Sequence, residues 1–246
     1  MAFSYVAKVG KIGLHIPWHF LHFLVSIWFL AYGVARVIRS YLISLGLLRW
    51  YDNLNMNNLR YLAIVVESEE ARKTSRVIKL LQWLAAMGVK HVALYDMEGV
   101  LKKSKTTILE KVNAIPWEEA CEDESLRDGK HMILEFTSLS DGKEAVAKAA
   151  NYLFVKNSKS RKLDGDNGQP TFTESNVSEA LKAIGCGGPE IDLLLIYGPV
   201  RCHLGFSAWR MRYTEIVHMG PLASMKYGSL KKAIHKFTRV HQNYGK

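Results

Sequence analysis

Residues 61–71 read YLAIVVESEEA. Leu62 to Val66 form an unbroken apolar run, the pattern of a strand buried on both faces of a parallel sheet. The run stops at Glu67, Ser68, Glu69 and Glu70. In an open α/β sheet the space just beyond the carboxyl end of a strand is where ligands sit, so these acidic residues stand where function is to be sought. Moving outward, 89–95, 132–137 and 191–197 are further short apolar runs of the same kind. Between the first two, Val77, Ile78, Leu80, Leu81, Leu84 and Met87 recur at helical spacing, and Gly88 follows where a helix C-cap belongs. Ser140 predicts the cap of a helix running to Tyr152, Thr173 that of a helix ending at Gly185, and 229–240 reads as a last amphipathic helix. The alternation predicts an α/β domain: an open, mostly parallel sheet with helices on both faces. The polar stretch NSKSRKLDGDNGQP, 157–170, reads as a mobile loop inside it.

The amino-terminal part has a different character. Residues 14–35, LHIPWHFLHFLVSIWFLAYGVA, contain no Asp, Glu, Lys or Arg, and a bilayer core needs about 20 such residues as helix. Lys8 and Lys11 precede the run; Arg36, Arg39 and Arg49 follow it. The basic flank predicts one transmembrane helix with the remainder of the chain on the cytosolic side. The apolar piece 41–48 is too short to span and is expected to lie in the interface. His15, His19 and His22 share one face of the helix but have nothing nearby to complete a metal site. The chain therefore divides into an anchor, 1–50, a linker, 51–58, and a domain, 59–246.

The formal charge is +10 over 246 residues. Because the first 50 residues hold basic side chains and no acid, the excess points to a membrane flank, and no stripe of Lys and Arg with interleaved aromatics recurs to suggest nucleic acid. Cys121, Cys186 and Cys202 are far apart and form no CxxC pair, as expected of reduced thiols in a cytosolic domain. There is no GxGxxG, P-loop, HExxH or GxSxG. GCGGP at 185–189 is glycine-rich but follows a helix and contains no Lys, which reads as a turn.

Two stretches carry a family resemblance. LLIYGPVRCHLGFSAWRMRYTEI, 194–216, resembles the signature of the Nogo-B receptor group: Gly-Pro-Val, then Leu-Gly-Phe, then a Trp followed by Arg-X-Thr-Glu-Ile. WLAAMGVKHVALYDMEGVLKKS, 83–104, is similar to the strand and turn segment of the same group. The resemblance covers about 59–246. Members are similar in fold to cis-prenyltransferases and act as the non-catalytic subunit of dehydrodolichyl diphosphate synthase.

The resemblance implies a fold whose own catalytic apparatus has decayed. Where active relatives carry Asp-Gly-Asn, this chain has Glu67, Ser68 and Glu69. Counting from Asp192 to Trp209, the two arginines and the serine that grip the homoallylic diphosphate are replaced by Ile196, Cys202 and Leu204. No catalytic residue and no metal ligand is therefore expected in this chain; Mg²⁺ would be held in a partner's site. The implied partner is a catalytic cis-prenyltransferase, paired through a surface around Phe206, Trp209 and the helix 229–240. Asn243, Tyr244 and Gly245 match the tail motif with which the accessory subunit helps bind isopentenyl diphosphate in trans, with Asn in the place of Arg as in the plant-type branch. The implied role is activation of polyprenyl diphosphate synthesis for dolichol and protein N-glycosylation at the endoplasmic reticulum membrane. The alternative is a membrane receptor or lipid-binding scaffold without an enzymatic partner.

Overall fold

The computed structural model describes residues 2–51, 54–122, 131–164 and 172–239, and the chain separates into two units, 1–52 and 53–246. The first unit is built on α1 (Ala2–Ser44), a single helix that continues through Pro17. Within it His15–Ser44 is long and apolar enough to cross a membrane by length and composition. The helix itself continues past residue 35 and takes in 41–44 as its last turn. The helix is closed by Gly46 in the left-handed region (φ 71°), with the N–H of Leu47 donating to the carbonyl of Leu42 at 3.1 Å.

The second unit contains a six-stranded sheet: β1 (Leu62–Val66), β2 (His91–Tyr95), β3 (Ile115–Pro116), β4 (Ile133–Thr137), β5 (Leu193–Tyr197) and β6 (Glu215–Gly220), in spatial order β3-β4-β2-β1-β5-β6. Every pairing is parallel. β1 lies in the middle because all five of its side chains are apolar and can be buried completely, as they are. Leu62, Ile64 and Val66 face one side of the sheet, packed with Leu80, Leu81 and Leu84 of α3 (Thr74–Ala86) and with Ile234 and Phe237 of α9 (Tyr227–Arg239). Ala63 and Val65 face the other side with Tyr95, Leu194, Ile196 and Phe206. A third apolar cluster joins α7 (Lys143–Asp164) to α8 (Glu174–Ala183).

The expected open parallel α/β architecture is what the structure has, and the four strands expected from the sequence are among the six. β6 and the two-residue β3 are additions. The loop expected at 157–170 is corrected in its first half, since α7 continues through Asp164. Lys, Arg and Leu there favour helix, and no Gly or Pro intervenes before Gly165. The cap of this region is Ser138, not Ser140: a capping box with Asp141 opens the turn that leads into α7. Thr173 does cap α8, reciprocally with Asn176.

Candidate functional site

The spatial order of strands reverses between β1 and β5, since β2 lies on one side of β1 and β5 with β6 on the other. Such a reversal opens the crevice in which open α/β sheets bind ligands. Glu67 stands at this point. Its backbone N–H donates to the carbonyl of Tyr197, the last residue of β5, at 3.0 Å. A Cβ placed on Gly198 would lie 3.7 Å from the Glu67 Cβ. Glu67 is also the N-cap of α2 (Ser68–Ala71), although its side chain makes no capping bond.

The neighbouring polar groups are occupied by the protein itself. Ser68 is buried, and its Oγ accepts the N–H of Glu98 at 3.2 Å. Glu69 is exposed and lies 3.9 Å from Arg72, which in turn donates to Glu98 at 3.2 Å. Glu70 reaches across to the segment after β6 and accepts the N–H groups of Leu222 and Ala223, at 2.6 and 3.2 Å. Part of the negative charge after β1 is thus structural: one carboxylate ties α2 to a turn 152 residues away in sequence. Among the described residues no three His, Cys, Asp or Glu side chains come together as a metal site.

The positions matched to a diphosphate grip are not brought together as one. Ile196 is buried inside β5 and packs with the core. Cys202 is exposed on the following loop. Leu204 packs against the core from a left-handed conformation (φ 52°); its carbonyl accepts the hydroxyl of Tyr95 at 2.8 Å. Burial, reinforced by Asp96 and Asp141, pushes the Tyr95 phenol up to about 12, so it remains a neutral donor that fastens the loop. Asp96 is fully buried and caps α4 (Val100–Lys103) by accepting the N–H groups of Val100 and Leu101, at 2.8 and 2.9 Å. The positions where active relatives are expected to carry two arginines and a serine thus hold aliphatic and thiol side chains in this chain.

The expected partner-facing surface needs correction at Phe206 and on the apolar face of α9. Phe206 is 1% exposed and packs edge-on against Tyr95, with ring centroids 5.5 Å apart; it is a core residue. Trp209 leans on the cluster between α7 and α8, and its indole N–H is buried without an acceptor among the described residues. In α9 the apolar residues Leu230, Ile234 and Phe237 are turned inward. Burial on the chain's own core removes Phe206 and the inward side chains of α9 from a pairing surface, while Trp209 stays partly exposed. The apolar side chains left exposed in this region are Val200 (58%), Tyr213 (44%) and Ile216 (52%), along the edge strand β6 and its approaches. Asn243, Tyr244 and Gly245 lie outside the described residues.

Comparison with solved structures identifies the architecture. A probable undecaprenyl diphosphate synthase from Campylobacter jejuni superimposes with a TM-score of 0.54 at 16% identity, covering 78% of this chain and 100% of that one. The fold is that of the cis-prenyltransferases. Lavandulyl diphosphate synthase from Lavandula x intermedia, solved with dimethylallyl diphosphate, matches with a TM-score of 0.52 at 13% identity, over 77% of this chain and 99% of that one. In sequence, this cis-prenyltransferase-like chain is similar to the human dehydrodolichyl diphosphate synthase complex subunit NUS1, 24% identical over 199 residues, which is 74% of this chain and 65% of the human protein. The mouse Nus1 subunit is likewise 24% identical over 198 residues, 74% of this chain and 64% of the mouse protein. The chain therefore matches just under two thirds of the length of these curated relatives. No family model matches it.

Proposed function

We propose that this chain is the non-catalytic, membrane-anchored subunit of a heteromeric cis-prenyltransferase. It would bind and activate a catalytic homologue that makes long-chain polyprenyl diphosphate from isopentenyl and farnesyl diphosphates, the precursor of dolichol for protein N-glycosylation. The observation that carries this reading is the crevice between β1 and β5. Glu67, Ser68 and Glu69 stand after β1, and Ile196, Cys202 and Leu204 stand where cationic and hydroxyl groups would be needed, so an allylic diphosphate placed there would meet like charge with no arginine fork to offset it. A fold that keeps its sheet, loses its grip on substrate and leaves Ile216 exposed on an edge strand is suited to serve a partner. The test is to mix the purified chain with a catalytic cis-prenyltransferase. Turnover of isopentenyl and farnesyl diphosphates by the chain alone, lost in Glu67→Ala, would overturn the reading.

The tail is proposed to act in the partner's site. Asn243 has no charge, but its amide can donate one hydrogen bond to a phosphate oxygen, and Gly245 lets the backbone approach closely. The Mg²⁺ there would belong to the catalytic subunit. Deleting 243–246 should leave the complex assembled and lower kcat/KM for isopentenyl diphosphate by up to about tenfold, the worth of one neutral hydrogen bond. Unchanged kcat/KM in an intact complex would show that the tail is idle.

Placement is proposed as a single pass through the endoplasmic reticulum membrane by α1, with the second unit in the cytosol. Asn176-Val177-Ser178 is a glycosylation sequon on the first turn of α8. In cells it should remain unmodified. A mass shift at Asn176 that is removed by an endoglycosidase would place this unit in the lumen.

A further inference from the structure

A cavity of about 340 Å³ lies over the β4 side of the sheet, away from the crevice between β1 and β5. It is lined by Lys102, Lys105, Trp117 and the glycine turn 185–188, with Glu135 from β4 and Arg210 from the loop after β5. Its size is at the small end of the range of about 300–1,000 Å³ typical of ligand sites.

The hydrogen-bonding inventory of its walls is lopsided. Every carboxylate is engaged: both oxygens of Glu135 accept from Arg210, at 2.9 and 2.7 Å. Asp141 accepts from Lys102 and from the N–H and hydroxyl of Ser138. Glu118 accepts from Lys105 at 2.9 Å. The donors are not used up. An ammonium carries three N–H groups, and Lys102 and Lys105 each give one to a carboxylate. The indole N–H of Trp117 and the backbone N–H groups of Gly187 and Gly188 have no acceptor among the described residues. The Lys105–Glu118 pair is also easily exchanged, because the Glu118 side chain is 62% exposed and exposed pairs contribute only about 0–1 kcal/mol. Glycine is required in this wall: a Cβ on Gly188 would collide with the Arg210 guanidinium, and one on Gly187 with the backbone of Lys182.

A small cavity with surplus donors, two of them ammonium groups and two of them amides of a glycine turn, calls for an acceptor-rich ligand. We propose that it binds a small phosphate-bearing oxyanion, held by Lys102, Lys105 and the amides of Gly187 and Gly188. This site is separate from the degenerate crevice and does not depend on the partner. Its ligand is either inorganic or the phosphate end of a small organic molecule.

The test uses the full chain in detergent with ¹⁵N-labelled glycine, titrated with inorganic pyrophosphate and, in a second arm, with glycerol 3-phosphate. The Gly187 and Gly188 amide signals should move along a saturating one-site curve, and the arm that saturates first identifies the source. Lys105→Met, at a partly exposed position and checked for an unchanged circular dichroism spectrum, should weaken the curve at least about tenfold, the loss of one charge-assisted bond. Absence of saturation in both arms by about 1 mM, equal shifts with sulfate at matched ionic strength, or an undiminished curve in folded Lys105→Met would each overturn the assignment.

Discussion

Replacing Ile216 by Asp is expected to abolish assembly with the catalytic cis-prenyltransferase, and polyprenyl diphosphate synthesis with it, while leaving the chain folded. Ile216 lies on β6, which pairs with β5 at one edge of the sheet, and it is 52% exposed. On the free chain an exposed substitution changes stability by about 0.5 kcal/mol or less. Within an apolar interface, an unpaired carboxylate at a central anchor costs more than about 2 kcal/mol, which is roughly 30-fold or more in Kd. Pull-down and titration calorimetry with the catalytic subunit read the effect. A folded Ile216→Asp chain that binds with unchanged affinity would place the pairing surface elsewhere than β6.

The largest stability effect is expected at Glu135. Arg210 is 2% exposed; it meets Glu135 with two parallel bonds, donates its Nε to the carbonyl of Pro189 at 2.9 Å and lies 5.8 Å over the Phe206 ring. One side chain thus joins β4, the segment before β5 and the loop after it. Glu135→Ala strands a guanidinium inside the protein, at a cost of about 3–5 kcal/mol, toward the lower end because the Glu135 side chain is 17% exposed. For a chain of this size that is a fall in Tm of roughly 6–20 °C. Replacing both partners, Glu135→Met with Arg210→Met, should recover most of the loss, because the desolvated charge goes with its counter-charge. Denaturant unfolding of the full chain measures both. A single variant as stable as the parent would show that the pair is solvated and idle. By comparison, Lys236 and Glu215, 3.2 Å apart with the lysine 68% exposed, should contribute well under about 1 kcal/mol.

The middle of the sheet was legible because β1 and β5 are buried on both faces and consist of unbroken apolar sequence, while β2 and β4 are mostly apolar. β6, EIVHMG, was not, since an edge strand half open to water mixes polar and apolar residues and carries no such signature. At 157–164 a run of Lys, Arg and Ser reads as solvated chain, yet exposed helices have the same composition. The crevice was legible through position: Glu67 follows a strand, and counting along the chain finds Ile196, Cys202 and Leu204. What those residues do instead of gripping a phosphate depends on contacts that no local pattern encodes. Glu135 and Arg210 are 75 residues apart and meet only when β4 and the loop after β5 are packed together. Phe206 illustrates the same limit, because an aromatic in a glycine-rich loop looks alike whether it faces a partner or, as here, its own core.

The central claim is that this chain supplies assembly and activation but not chemistry. It is tested most directly by measuring incorporation of radiolabelled isopentenyl diphosphate into polyprenyl diphosphate by three preparations: the purified chain, the purified catalytic cis-prenyltransferase, and the two reconstituted together in vesicles. The account predicts no incorporation by the chain alone and, for the mixture, a rate well above that of the catalytic subunit by itself. Incorporation by the chain alone, or a mixture no faster than the catalytic subunit despite a complex isolated by size-exclusion chromatography, would contradict it.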